Sequence, residues 1–415
     1  MDVTEVLRSI GIVLAIGLVA VPVASLLRLP SMVVLVAFGV LAGPHVLDVV
    51  TVPIDAEGPS LLFSLGVALI LFHGGLGISL RVISRTAAGL LLLAIPGVAI
   101  TATITGAAIQ PLFGVSWSVA LMAGAVLAAT DPAILVPLFQ RLGLRPKVAQ
   151  TVIAESALND PMSTIMALGL SGIVVAGSMS SSAFSTNGPL IDFVRSIGLG
   201  VLIGVVGGVL IALLLSTNRF GLLRESPAAT LLALVALSYT GAEVVGGSPY
   251  LAAFIAGLIV GNKDLILHDR DHRQEEVLES YVEQTVDIVV LAIFVVLGLN
   301  LDVQALIDNL WAGLAVMAVF ILLARPVTVA ICLGLDRRSG WTRQEGAFIA
   351  WCRETGVVPV AVASMLLAER VPGAELVTTL VTFAVVVTLL LQATTAGWVA
   401  GRLGLLDGTA PPTNT

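Results

Sequence analysis

Four short stretches of this 415-residue chain place ionisable and oxygen-bearing side chains in apolar surroundings. They are Thr130, Asp131 and Pro132; Glu155, Ser156, Asn159, Asp160 and Pro161; Arg325 and Pro326; and Arg353, Glu354, Thr355, Gly356 and Pro359. An ionisable group near the centre of a lipid bilayer costs roughly 2.5 to 3.5 kcal/mol on insertion scales, so each such group marks a functional site unless it only pairs to hold helices together. For Arg325 that pairing role is the favoured reading.

Helical spacing divides the second stretch. Residues four apart lie on one side of a helix, whereas residues five apart are turned away from each other by roughly 140°. Ser156 and Asp160 therefore share one face, and Glu155 and Asn159 another. One carboxylate can be neutralised permanently by a buried arginine while the other stays free to take a proton or a cation. With Arg325 near the middle of its own apolar segment, the permanent pair is assigned to Glu155 and Arg325, and Asp160 is the exchangeable carboxylate. The first stretch adds the oxygen ligands that a small hard cation needs. Pro132 has no N–H and pushes Asp131 out of the α region, which frees carbonyls around Thr130 and ends a half-helix there. Asp131 can then cap the half-helix that follows. Thr355, Gly356 and Pro359 make a similar interruption.

The elements that must carry these residues are set by composition. The chain is 57% hydrophobic and 11% charged, with mean hydropathy +1.05, far from the roughly one quarter of charged residues usual in soluble proteins. Apolar runs of about 20 residues, the length that crosses a hydrocarbon core, recur throughout. Windows between polar or Pro/Gly breaks predict thirteen transmembrane helices: 6–27, 31–47, 60–79, 86–110, 116–139, 148–177, 190–216, 228–245, 249–261, 281–300, 307–335, 344–369 and 375–402. These are spans 1 to 13 below. The first run follows Asp2, Glu5 and Arg8, not the basic start of a signal peptide, and is read as a true helix. The net charge of −7 comes with no basic stripe, so no nucleic-acid partner is expected. Cys332 and Cys352 lack metal or disulfide spacing and read as small buried hydrophobes.

Basic residues gather in alternate loops. Arg28, Arg81, Arg85, Arg141, Arg145 and Lys147 follow spans 1, 3 and 5, and Arg219, Arg224, Lys263, Arg270, Arg273, Arg337, Arg338, Arg343 and Arg402 follow spans 7, 9, 11 and 13. Such loops favour the cytoplasm, which puts the N-terminus outside and the C-terminus inside. Spans 5 and 12, both interrupted by Pro or Gly, stand seven apart in the order. That spacing suggests inverted repeats, spans 1 to 6 and 8 to 13, with two crossed discontinuous helices at the midplane, an arrangement that points at a substrate ion.

ATDPAILVP at 129–137 followed by ESALNDP at 155–161 resembles the paired signatures of the monovalent cation:proton antiporters, specifically the NhaP-type sodium/proton branch with its Asn-Asp motif. FHGGLGISL at 72–80, FVVLGLNLD at 294–302 and ARPVTVAICL at 324–333 extend the likeness along nearly the whole chain. The resemblance implies a thirteen-helix antiporter fold, usually dimeric. Spans 4–6 and 11–13 would form the ion-translocating core, spans 1–3 and 8–10 an interface part, and span 7 a linker. No soluble C-terminal domain is expected in residues 1–415. It further implies a cation/proton site of Asp160, Ser156, Thr130, Asp131 and Asn159, with sodium held at Asp160, Ser156 and the Thr130 carbonyl, and Glu155 with Arg325 as the structural ion pair. Two departures stand out. His73 occupies a position where relatives commonly carry an acid; it removes one carboxylate and supplies a group that titrates near neutrality, or serves as a buried structural imidazole. Arg353 stands near, but not in register with, an arginine of the family, and Glu354 is additional. With Thr355, these form an accessory set that balances charge at the second break.

The expected activity is exchange of Na⁺, K⁺ or Li⁺ for protons that compete for Asp160 in the cell membrane, one for one and therefore electroneutral, with no resident cofactor. The alternative is an organic-anion transporter coupled to Na⁺ on a related fold. A channel fits the proline-broken helices less well, and catalysis lacks a His partner for Ser156 or a metal motif, so an enzyme is not expected.

Overall fold

The computed structural model describes residues 3–27, 29, 31–44, 46–52, 57–130, 135–136, 138–139, 142–175, 188–216, 223, 225–266 and 272–406. Asp131, Pro132 and the loop residues Arg28, Arg141, Arg219, Arg224 and Arg270 lie outside them. Among the described residues the secondary structure is helical, apart from one isolated bridge between Leu144 and Leu406. Eight helices are long and apolar enough to cross a membrane, and five shorter apolar helices accompany them. Together they follow the thirteen predicted spans in order. Span 1 is Val3–Leu27, span 6 is Pro146–Val175 and span 10 lies within His272–Leu299.

The interrupted spans are interrupted where proline and glycine require it. The first half of span 5, Trp117–Leu127, starts on Ser116, whose side chain accepts from the Val119 N–H, and stops just before Ala128–Thr130. Span 12 starts with a capping box of Thr342 and Glu345, runs as Arg343–Trp351, opens over Cys352–Gly356, and resumes as Val357–Ala368. Spans 11 and 13 hold a feature that periodicity does not reveal. Each passes through a wider π turn, Phe320–Ala324 immediately before Arg325 and Pro326, and Thr388–Ala393. Pro326 cannot donate to the preceding turn, and one inserted residue is a way of absorbing the lost bond.

Small residues set how closely the spans approach, as they do where lipid offers no hydrophobic drive between helices. Gly200, Gly204 and Gly208 of span 7 face Ser248, Ala252 and Ala256, and a Cβ on Gly257 would collide with the Phe72 carbonyl oxygen of span 3. Phe72 pairs with Gly257 and Leu76 with Gly261, so spans 3 and 9 run parallel. Gly74 meets Ile153, and Gln150 bonds to Gly77 and Ser79, so spans 3 and 6 run antiparallel. Both directions fit an unbroken count of crossings. Span 3 packs extensively on 9, 9 on 7 and 2 on 10; in a second group, span 4 packs on 5, 5 on 6 and 4 on 6.

Replacing Gly257 by Ala should force spans 3 and 9 apart and destabilise the protein by about 1 to 3 kcal/mol, the usual cost of overpacking. Gly172→Ala, where nothing lies within 4 Å of the added carbon, should be neutral or mildly stabilising. Thermal unfolding in detergent of the two variants, side by side, tests the contact.

Candidate functional site

The break in span 5 is held by one face of span 6. The Ser156 hydroxyl donates to the Thr130 carbonyl at 3.1 Å, the Asn159 amide donates to Thr130 Oγ1 at 2.9 Å, and the Thr130 N–H reaches Asn159 Oδ1 at 3.4 Å. One turn further, the Ser163 hydroxyl takes the Ala125 carbonyl at 2.6 Å. Backbone groups that lose their helical partners inside an apolar medium must be satisfied from nearby elements, and positions 156, 159 and 163 recur at the spacing that keeps them on one side. The structure thus unites Ser156 and Asn159, which the four-residue rule had placed on different faces, because residues three apart also neighbour each other on a helix.

Span 13 holds the second break in the same manner. Thr388 accepts from the Thr355 N–H at 3.1 Å, and Gln392 donates to the Trp351 carbonyl, both from the π turn. The two breaks meet through Arg353, whose guanidinium donates to the Ala128 carbonyl of span 5 and lies 5.5 Å from the centre of the Phe320 ring. Glu354 is fully buried and accepts from the Cys352 thiol at 3.4 Å.

Glu155, one residue before Ser156, turns away from the break toward span 11. Its carboxylate takes both terminal nitrogens of Arg325, at 2.7 and 2.8 Å, and Arg325 Nε donates to the Ile349 carbonyl at 3.2 Å. Both partners are 1% exposed. The bidentate geometry satisfies the charges in place, and the third bond ties the pair to the first half of span 12.

Asp160 is likewise 1% exposed, and Arg353 lies within electrostatic reach of both Asp160 and Glu155. Asp131 falls outside the described residues. His73 is buried in span 3 and lines a cavity of about 200 Å³ with Gly77, Val136, Phe139, Gln150 and Ile153, at the end of the bundle where span 3 finishes and span 6 begins. Sequence reasoning missed Ser163, Thr388 and Gln392. Their signal was a buried polar group at helical spacing from a break, visible only once the partner helix is known.

The profile of the sodium/hydrogen exchanger transmembrane family matches residues 11–401. The chain belongs to this family, a family of transporters, as the residues around Asn159 and Asp160 implied. It is 31% identical over 385 residues to the K(+)/H(+) antiporter NhaP2 of Shewanella sp. strain MR-4, covering 91% of this chain and 63% of that protein. It thus spans less than two thirds of the length of such relatives. The probable Na(+)/H(+) antiporter 2 of Methanocaldococcus jannaschii is 26% identical over 384 residues, covering 89% and 86%. In fold, the sodium proton antiporter MjNhaP1 of the same archaeon, solved at pH 8, superposes with TM-score 0.76 at 24% identity over 97% of this chain and 99% of that one.

Arg325→Met leaves Glu155 buried without its partner and should destabilise the protein by about 3 to 5 kcal/mol, whereas Glu155→Gln combined with Arg325→Met should recover most of the loss. Thermal melts of the two variants in detergent separate these outcomes.

Proposed function

We propose that this chain is a secondary antiporter that exchanges a monovalent cation for protons, both passengers competing for Asp160. The observation that carries the reading is a buried carboxylate directly after Asn159, beside a helix break, while the neighbouring Glu155 is already neutralised by Arg325. A carboxylate buried this deeply is costly as a charge, so a passenger that cancels it is favoured, and a proton or a cation serves equally.

Oxygens for a dehydrated cation are at hand. Ser156 Oγ and the Thr130 carbonyl stand 3.1 Å apart, so rotation of one hydroxyl proton would let both face a single ion. Asp160, Ser156, Thr130, Asn159 and Asp131 make up the proposed cation and proton site, with Arg353, Glu354, Thr355 and His73 around it. Glu155 and Arg325 stay paired through the cycle. Sodium is the first candidate cargo, with potassium and lithium behind it; the relatives' own names include both K⁺ and Na⁺. Because either passenger cancels the same charge, exchange is one for one and electroneutral. Spans 4–6 and 11–13 form the moving core, spans 1–3 and 8–10 the interface of a homodimer, and span 7 the linker. The protein sits in the cell membrane with its N-terminus outside and its C-terminus in the cytoplasm, as the loop charges favour. No resident cofactor is needed, since the passengers are the substrates.

Purified protein in liposomes with an imposed pH gradient and a pH-sensitive dye tests this directly. Addition of Na⁺, K⁺ or Li⁺ should release the gradient with wild-type protein and not with Asp160→Asn, and clamping the voltage should leave the rate unchanged. A folded wild-type protein that answers none of the three ions overturns antiport. A voltage-dependent rate overturns only the one-for-one stoichiometry.

A further inference from the structure

At one end of the bundle, a cavity lined by His73, Gln150 and Ile153 opens between spans 3 and 6. The pairing of Gly74 with Ile153 and of Gly77 with Gln150 fixes the register of these antiparallel spans. Continued for seven residues, about 10 Å along a helix, it brings Asp160 level with Val67. The parallel register of spans 3 and 9, Phe72 on Gly257 and Leu76 on Gly261, brings Val67 level with Ala252. Tyr250 lies about half a turn beyond, on the side away from the cavity.

Tyr250 is held there firmly. Ser248 caps the start of span 9 by accepting from the Leu251 N–H at 3.3 Å, and the Ser248 N–H is anchored on the Ser196 carbonyl at 2.9 Å. The Tyr250 ring packs edge-on against Tyr239 of span 8, with centroids 5.5 Å apart. It lies within electrostatic reach of Asp160. Span 9 packs against span 6 as well as against span 3. The registers and packing thus set this aromatic pair about half a turn beyond the level of Asp160, where spans 3, 6 and 8 surround the start of span 9.

We propose that Tyr250, braced by Tyr239, is the gate that closes the Asp160 site on the side opposite the His73 cavity. This rests on the antiport reading, because a gate matters only if Asp160 is served from each side in turn. The ring supplies the seal, and its edge-on packing against Tyr239 keeps it in position. Removal of the ring exposes the carboxylate to both sides at once, and protons then cross without a cation.

The test is the decay of an imposed pH gradient in proteoliposomes with no exchangeable cation present. Tyr250→Ala should leak several-fold faster than wild type, Tyr250→Phe should stay as tight as wild type, and Tyr250→Ala combined with Asp160→Asn should be tight again. A Tyr250→Ala protein as tight as wild type overturns the gate, and so does a leak that persists in the double variant, since that leak bypasses the carboxylate. If Tyr250→Ala fails to fold, Tyr239→Ala removes only the brace and should leak in the same Asp160-dependent way; a tight Tyr239→Ala protein would count against the proposal. Failure of the antiport reading shows separately, as a wild-type protein that is proton-tight and unresponsive to any added cation.

Discussion

The structure depends on one constraint: an interrupted helix inside an apolar slab must have its freed backbone groups satisfied by its neighbours. Among the described residues two spans open in this way, and each is stitched by the span that follows it in sequence. Ser156, Asn159 and Ser163 of span 6 hold the first, and Thr388 and Gln392 of span 13 hold the second. The same device appears at matching places in the two halves of the chain, as inverted repeats would require. Thr101 of span 4 and Thr328 of span 11, corresponding spans in the two halves, meet at 3.0 Å. Without such partners the breaks would leave bare carbonyls in hydrocarbon, and the chain would return to continuous helix or not insert.

A second layer of constraint concerns charge. Arg325 places its two terminal nitrogens on Glu155 and its remaining nitrogen on the Ile349 carbonyl of span 12, so one side chain joins spans 6, 11 and 12. Arg353 joins the two breaks to each other. Each arginine thus helps to tie the crossing together. The proposed exchange is economical in these terms, because a single carboxylate changes its passenger while the charges around it keep their places.

Much of this was readable in the amino-acid sequence, and the reason is physical. Apolar length and the alternation of basic loops follow from the bilayer's thickness and surface charge, so the thirteen spans and their order could be read from residue types alone. Charged residues next to proline inside apolar runs are too costly to be accidental, which singled out residues 130, 155, 156, 159, 160, 325 and 353 to 355 without any coordinates. The Asn-Asp pair within span 6 pointed to the family.

Only the tertiary structure decided which of these groups touch. The four-residue rule separates Ser156 from Asn159, yet both serve the Thr130 break, because contact depends on where span 5 lies across span 6 and not on span 6 alone. Arg353 could be read as a local balance for Glu354, but its reach to Ala128 exists only because the two breaks cross. The π turns before Arg325 and around Gln392 leave no periodic trace, since one inserted residue is invisible in a uniformly apolar run. The level of Tyr250 relative to Asp160 depends on the registers that Gly74, Gly257 and Gly261 set between spans 3, 6 and 9. Sequence determined which groups had to be satisfied within the membrane; close packing of distant helices determined by what.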